Sequence, residues 1–158
     1  MVAAFDAEMV AESKIGGVRV IPARQFFQGI MTTALHENEL LREVRLPILP
    51  KGTHAGFAEF SRRAGDYAIA MAVATYRLKN GMMSDMRVAV GGAETRPRRI
   101  SEAERELIGR PPNLPTFHAA AHAAGKAIDP LDDPSIGADY RRGIVRAMVT
   151  RALESAST

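Results

Sequence analysis

The sequence has 158 residues, 46% hydrophobic and 25% charged, the make-up of a folded globular chain rather than a disordered one. That length admits one ordinary domain, or one domain and a piece of another. Cysteine is absent, which removes disulfides, thiol nucleophiles and Cys-ligated zinc or iron–sulfur centres, and suits a reducing compartment; a cytoplasmic location is expected. Aromatic residues make up only 6% and tryptophan is missing, so the core must be built from Ala, Val, Ile, Leu and Met. No apolar run approaches the roughly 18 residues of a membrane span, and the N-terminus lacks the layout of a signal peptide. The net charge of +3 comes from 21 basic against 18 acidic residues, with arginines in short clusters: Arg62-Arg63, Arg96 with Arg98-Arg99, and Arg141-Arg142. Nucleic-acid faces are denser and interleaved with aromatics, so no nucleic-acid partner is expected. Phosphates or an acidic protein surface explain short arginine clusters equally well.

In chain order, residues 2–5 and 8–11 are short β-like runs, Lys14-Ile15-Gly16-Gly17 has turn chemistry, and residues 18–21 alternate as a strand does. Pro22 opens a helical turn through PARQFFQGI with Gly29 at its exit, since proline fits the first helical position and glycine the stop. Residues 40–46 read equally as a helix end or a strand. Pro47, Pro50 and Lys51-Gly52-Thr53 form a linker. This first segment is too small to close a core alone and reads as the tail of a larger domain.

Residues 54–93 predict a three-stranded antiparallel meander, with strands over 57–61, 68–78 and 83–90 and an Asn80-Gly81 hairpin turn. In the middle strand Ile69, Met71, Val73 and Thr75 share one face, and Ala68, Ala70, Ala72 and Ala74 the other. An alanine face lets another element approach the backbone, and a helix is the expected occupant. Three helices follow. Ser101-Glu102-Ala103-Glu104 has the form of a capping box, with Gly109 as a stop. After PPNLP, Phe117, Ala121, Ala124 and Ile128 line one stripe. Beyond the DPLDDP loop, a last helix over 138–155 buries Ile144, Val145, Met148, Val149, Ala152 and Leu153, with Arg141, Arg142, Arg146 and Arg151 opposite. The fold class is α+β.

Few residues here suggest chemistry of their own. His118 and His122 have the spacing at which two imidazoles share a metal, yet no acid separates them and no third ligand is near; a polar helix surface is expected instead. Ser61, His54 and Asp66 lack the G-x-S-x-G elbow of a hydrolase. Gly91-Gly92 matches no phosphate-loop pattern and reads as a strand exit needing unusual φ. No catalytic residue and no metal ligand is assigned. The polar entry to the middle strand, SRRAGDY, is different. Tyr67 beside a Gly-Asp turn either presents its ring to a flat ligand or caps the sheet's hydrophobic face, the commoner use of a tyrosine. Arg62 and Arg63 are either solvated or paired with Asp66.

Three blocks in order, FAEFSRRAGDYAIAMAVATYRL, VAVGGAETRPRRISEAERELIGRPP and IDPLDDPSIGADYRRGIVRAMVTRAL, resemble the C-terminal domain of the flavin-binding medium subunit of molybdenum hydroxylases, enzymes of the carbon monoxide dehydrogenase and xanthine dehydrogenase type. The upstream VRVIPARQFFQGIMTTALHENELLREVRLP is similar to the end of that subunit's FAD-binding domain. Each block is modest alone; together, across nearly the whole chain, they are specific. The resemblance implies a three-stranded antiparallel sheet packed with three helices over 54–158, preceded over 1–50 by a β-rich remnant of an FAD-binding domain. It also implies FAD held between a large molybdenum-cofactor subunit and a small subunit with iron–sulfur clusters, passing electrons from the clusters to an external acceptor. On the same ground Tyr67 lies against the isoalloxazine ring, Asp66 and Ile69 are nearby, and Arg62 and Arg63 shape the entrance. Arg141 and Arg142 then belong to the domain that covers the flavin or meets the partner subunits. The family's glycine-rich loops for the FAD pyrophosphate have no counterpart in this sequence. The chain alone is therefore expected to bind FAD weakly or not at all, and to be active only within an assembly. The competing reading is a non-enzymatic docking or dimerisation module, homo-oligomeric, that has lost the flavin role.

Overall fold

The computed structural model describes every residue except Asp132 and Thr158, so one aspartate of the DPLDDP loop lies outside the described residues. Strand β1 (Glu8–Ser13) turns at residues 14–16 into β2 (Gly17–Pro22), where Gly17 takes a positive φ of 70°. A single turn, α1 (Ala23–Phe26), leads to the small ladder of β3 (Phe27–Gly29) and β4 (Thr32–Thr33). Strand β5 (Leu40–Arg45) then returns to the other side of β1, giving the order β2-β1-β5.

Three local expectations change here. Residues 2–5 are turns, with the amides of Ala4 and Phe5 donating to the carbonyl of Met1. Consecutive burial of Ala3, Ala4 and Phe5 is incompatible with a strand that alternates its faces. Residues 40–46 resolve as a strand because β1 offers an unpaired edge. Pro22 caps α1 from outside, and Gly29 lies in β3 rather than at a helix exit, because the chain is extended from Phe27 onward.

The second sheet has the order β6-β7-β8-β9, all antiparallel: β6 (His54–Phe60), β7 (Ala70–Lys79), β8 (Met82–Gly91) and a two-residue β9 (Arg98–Arg99). The three long strands are the expected meander. Asn80 and Gly81 both hold positive φ, 53° and 75°, as a tight hairpin turn requires. Helices α2 (Ser101–Leu107), α3 (Leu114–Ala127) and α4 (Ala138–Ser157) cover one side.

The alanine face is where α4 lands. Ala70, Ala72 and Ala74 are buried in one core with Val145, Met148, Val149, Ala152 and Leu153. The approach is closest at β6, where a Cβ on Gly56 would collide with the carbonyl oxygen of Ala152 and sit 2.7 Å from the amide nitrogen of Ala156. On the sheet's other side Val73 and Ala89 pack with Ala4, Phe5 and Leu49, so the N-terminal turn and the linker close that face. Ile69 joins the helix-side core rather than the face of Val73, because β7 begins at Ala70 and the alternation does not extend back through the preceding turn.

The capping box does not form. The N-cap of α2 is the buried Ile100, and Glu104 turns to the sheet, accepting from the amide of Val88 at 3.0 Å and pairing with Arg99 at 2.8 Å. Helix α3 does carry a side-chain cap, with Asn113 Oδ1 accepting from the Thr116 amide at 3.1 Å. On α4 the expected arginine face divides. Arg146 and Arg151 are exposed, whereas Arg141 is buried and Arg142 donates to the carbonyls of Gly125 and Ile128 at the end of α3.

The contact at Gly56 sets a stability prediction. Gly56→Val forces the α4 backbone away from β6, a cost of roughly 3 kcal/mol, the upper end for overpacking. Thermal unfolding should shift down by about 6–12 °C for a chain of this size; an unchanged midpoint would refute the close approach.

Candidate functional site

The loop of residues 61–69 joins β6 to β7 at one corner of the second sheet. Its base is closed by the Ile69 amide donating to the Phe60 carbonyl at 2.8 Å. Ser61 Oγ donates to the Arg63 carbonyl at 2.9 Å, and the Asp66 amide donates to the same oxygen at 3.1 Å. Gly65, at a φ of 88°, makes the turn.

Arg62, Arg63, Asp66 and Tyr67 all stand exposed on this loop, and Tyr67 is 100% exposed. That exposure removes the reading in which Tyr67 caps the hydrophobic face. A phenol ring left wholly in water is a large apolar surface with no internal use. Ile69 is not among the open residues; it is 9% exposed and anchors the loop from within the core. Arg62 reaches neither Asp66 nor open solvent alone: its Nη2 donates to Ser135 Oγ at 2.9 Å.

A residue expected on the solvent face organises the corner. Arg141, 4% exposed, donates from Nη1 to the carbonyls of Ile69 at 3.0 Å and Gly92 at 3.1 Å, and from Nη2 to Asp133 at 3.4 Å. Hydrogen bonds from the hydroxyl and amide of Ser135, helped by the nearby charges of Arg141 and Arg62, hold the Asp133 carboxyl below the usual aspartate range. The signal for Arg141 was present in the sequence, since it stands three and four residues before Ile144 and Val145, on the buried stripe of α4.

The other candidates stay apart. His54 stacks on Tyr76 with ring centroids 4.9 Å apart and its Nδ1 lies 3.0 Å from the Ala156 carbonyl, at the opposite end of β6 from Ser61. No triad is assembled. His118 and His122 line a groove of about 540 Å³ between α3 and α4 with Arg146, Arg151 and Glu154. Among the described residues no group of three or more His, Cys, Asp or Glu side chains could hold a metal.

The loop presents an open aromatic ring with cationic side chains beside it. The glycine pair at the end of β8 offers no open backbone next to it. Gly92, with a φ of 78°, is closed over by backbone, since a Cβ there would lie 2.5 Å from the Ala68 carbonyl oxygen. The glycine pair therefore serves packing and cradles no phosphate.

Known proteins match this chain along nearly its whole length. Residues 55–156 match the CO dehydrogenase flavoprotein C-terminal domain, and residues 1–49 match the FAD binding domain in molybdopterin dehydrogenase. The chain is 38% identical over 154 residues to the 6-hydroxypseudooxynicotine dehydrogenase complex subunit alpha of Paenarthrobacter nicotinovorans, covering 97% of this chain and 52% of that protein. A solved carbon monoxide dehydrogenase from Hydrogenophaga pseudoflava superposes with a TM-score of 0.91 at 33% identity, over 99% of this chain and 54% of the other. Quinoline 2-oxidoreductase from Pseudomonas putida 86 gives 0.90 at 32% identity, over 99% and 54%. The chain thus spans about half the length of the curated relatives it matches, 52% of the first of them. It belongs to the CO dehydrogenase flavoprotein C-terminal domain family.

Proposed function

We propose that this chain is part of the flavin-binding medium subunit of a molybdenum-containing hydroxylase, in which the loop of residues 61–67 closes over the ring of FAD. The observation that carries the reading is Tyr67, wholly exposed at the tip of a loop whose base is hydrogen-bonded to the body of the domain. Ring-to-ring contact with a planar cofactor would cover that surface. Residues 1–50 then form the end of the FAD-binding domain, and residues 54–158 form the C-terminal domain of the medium subunit. A large molybdenum-cofactor subunit and a small iron–sulfur subunit are the partners. FAD supplies the redox chemistry; this chain's residues position and shield it. Tyr67 lies against the ring and Asp66 beside it, while Ile69 acts from below by fixing the loop. Arg62 and Arg63 border the entrance, where their charge suits an anionic cofactor.

In the complete enzyme, Tyr67→Ala should slow flavin-dependent turnover by up to about tenfold, the worth of one aromatic contact. Reduction at the molybdenum centre by substrate should stay unchanged. Normal turnover to the external acceptor would remove Tyr67 from the site.

For the isolated chain, FAD added in excess should be lost on gel filtration, leaving a colourless protein, because no diphosphate cradle stands beside the ring contact among the described residues. A retained visible flavin spectrum would contradict this.

One observation favours a second reading, a docking or dimerisation module. Strand β5 is a sheet edge, and Leu40, Leu41, Val44 and Leu46, with Ile48 beyond them, are all exposed. Bare apolar edges invite pairing. Light scattering decides it: the module requires a stable dimer, and a monomer at micromolar concentration rejects it.

A further inference from the structure

We infer that Arg141 is a positioning residue that grips the loop of residues 61–69 at both ends and thereby sets where Tyr67 stands. The functional meaning rests on the flavin-facing reading of that loop; the grip itself does not.

A buried arginine has to be accounted for. Taking a guanidinium out of water is costly, and an apolar side chain on the stripe of α4 would avoid that cost. The partners of Arg141 show what the charge does instead. Its Nη1 holds the Ile69 carbonyl, the last residue of the loop, and the Gly92 carbonyl, just past the end of β8. Nη2 pairs with Asp133. Asp133 Oδ1 accepts from the amide of Ser135 at 2.8 Å and from its hydroxyl at 2.7 Å. A hydroxyl has one proton to give, so Ser135 Oγ, donating to Asp133, is left to accept from Arg62 at 2.9 Å.

Both terminal nitrogens of Arg141 meet acceptors, while its buried Nε has no partner among the described residues. Arg62 gives to Ser135, Ser135 gives to Asp133, and Arg141 gives to Asp133 and to Ile69. The loop is thus tied at residue 62 through a side-chain relay and at residue 69 directly, by the same guanidinium. A lysine could not do this, because one ammonium cannot present the planar fork that spans two carbonyls and a carboxylate. Between the two ties, the hydrogen bonds of Ser61 Oγ and the Asp66 amide converge on the Arg63 carbonyl. The base is fixed, and the tip with Tyr67 projects from it.

Two trypsin-sensitive bonds, after Arg62 and after Arg63, lie inside the loop, and Lys79 at the exposed Asn80-Gly81 hairpin provides an internal control. The full chain is digested under native conditions, where cleavage of a local site follows the free energy of local opening. Arg141→Lys should speed loop cleavage about tenfold, and Ser135→Ala, which cuts only the entrance tie, severalfold. Cleavage at Lys79 should not change. Parallel acceleration at both sites would mean a general loss of stability and would overturn the grip, as would no acceleration at either. Ser135 is exposed, so Ser135→Ala decides the matter if Arg141→Lys fails to fold.

In the complete FAD-loaded subunit, Arg141→Lys should raise flavin fluorescence at unchanged FAD content, since an aromatic ring against the flavin quenches it. If Tyr67→Ala leaves that fluorescence unchanged while Arg141→Lys still frees the loop to trypsin, the flavin reading falls and the grip stands.

Discussion

The structure depends on how near α4 can come to the second sheet. Ala70, Ala72 and Ala74 present no side chain beyond a methyl group, and at Gly56 even that methyl is missing. The α4 backbone therefore rests almost on the strand. Its first turn consequently reaches the corner where β7 begins and β8 ends. The hydrogen bonds from Arg141 to Ile69 and Gly92, at 3.0 and 3.1 Å, leave little slack before such a bond is lost near 3.5 Å. A helix lifted by one methylene layer would lose them. Packing at one end of α4 and loop geometry at the other are thus one constraint, set by the small strand residues beneath the helix.

The arginines follow from the same economy of contact. A sequence with 21 basic residues and short arginine clusters suggests cationic patches. In the fold most cluster members turn inward. Arg98 holds Glu94 and the Ala127 carbonyl, Arg99 holds Glu104 and Asp6, and Arg142 holds the carbonyls of Gly125 and Ile128. The last turn of a helix leaves carbonyls unsatisfied and carries a partial negative charge. Arg98 and Arg142 satisfy that end of α3 from two sides. Other cations stay exposed and scattered, among them Lys14, Arg24, Arg42, Lys51, Lys79 and Lys126, while Arg62 and Arg63 stand beside Tyr67, and Arg146 and Arg151 stand beside the two α3 histidines.

What the sequence could disclose follows from which signals are local. The Asn80-Gly81 hairpin, the alternation of β7 and the stripes of α3 and α4 rest on neighbours in the chain, and they stand where expected. Elements that answer to distant partners were not legible. Glu104 abandons a local cap because the Val88 amide and Arg99 offer a stronger set of bonds. Residues 2–5 give up extended structure to bury consecutive side chains against a sheet more than sixty positions away. The site was legible in its composition, as a Gly-Asp turn with tyrosine and arginines, but not in its supports. Ser135 and Asp133 are ordinary loop residues until the fold brings them to Arg62, and only the helical period marked Arg141 as buried.

The contact between the two segments decides what any cofactor would meet. The linker at residues 46–53 is mostly exposed and could not by itself orient the first sheet. Two other links are available, and they differ in strength. Asp6 pairs with Arg99 at 2.9 Å and with Arg87 at 3.6 Å, but its side chain is 47% exposed, and pairs of that kind contribute about 1 kcal/mol at most. Phe5 is buried with Ala4 against Val73 and Ala89, and a buried phenylalanine side chain is worth roughly 1.5–3 kcal/mol. The apolar contact contributes more, and the ion pairs add direction to it. The N-terminal turn thus acts as the joint between the segments. It grips the face of β7 and β8 opposite α4, so the strand that carries the Tyr67 loop is held from both sides, and the place of the first sheet relative to that loop is set by residues 1–6.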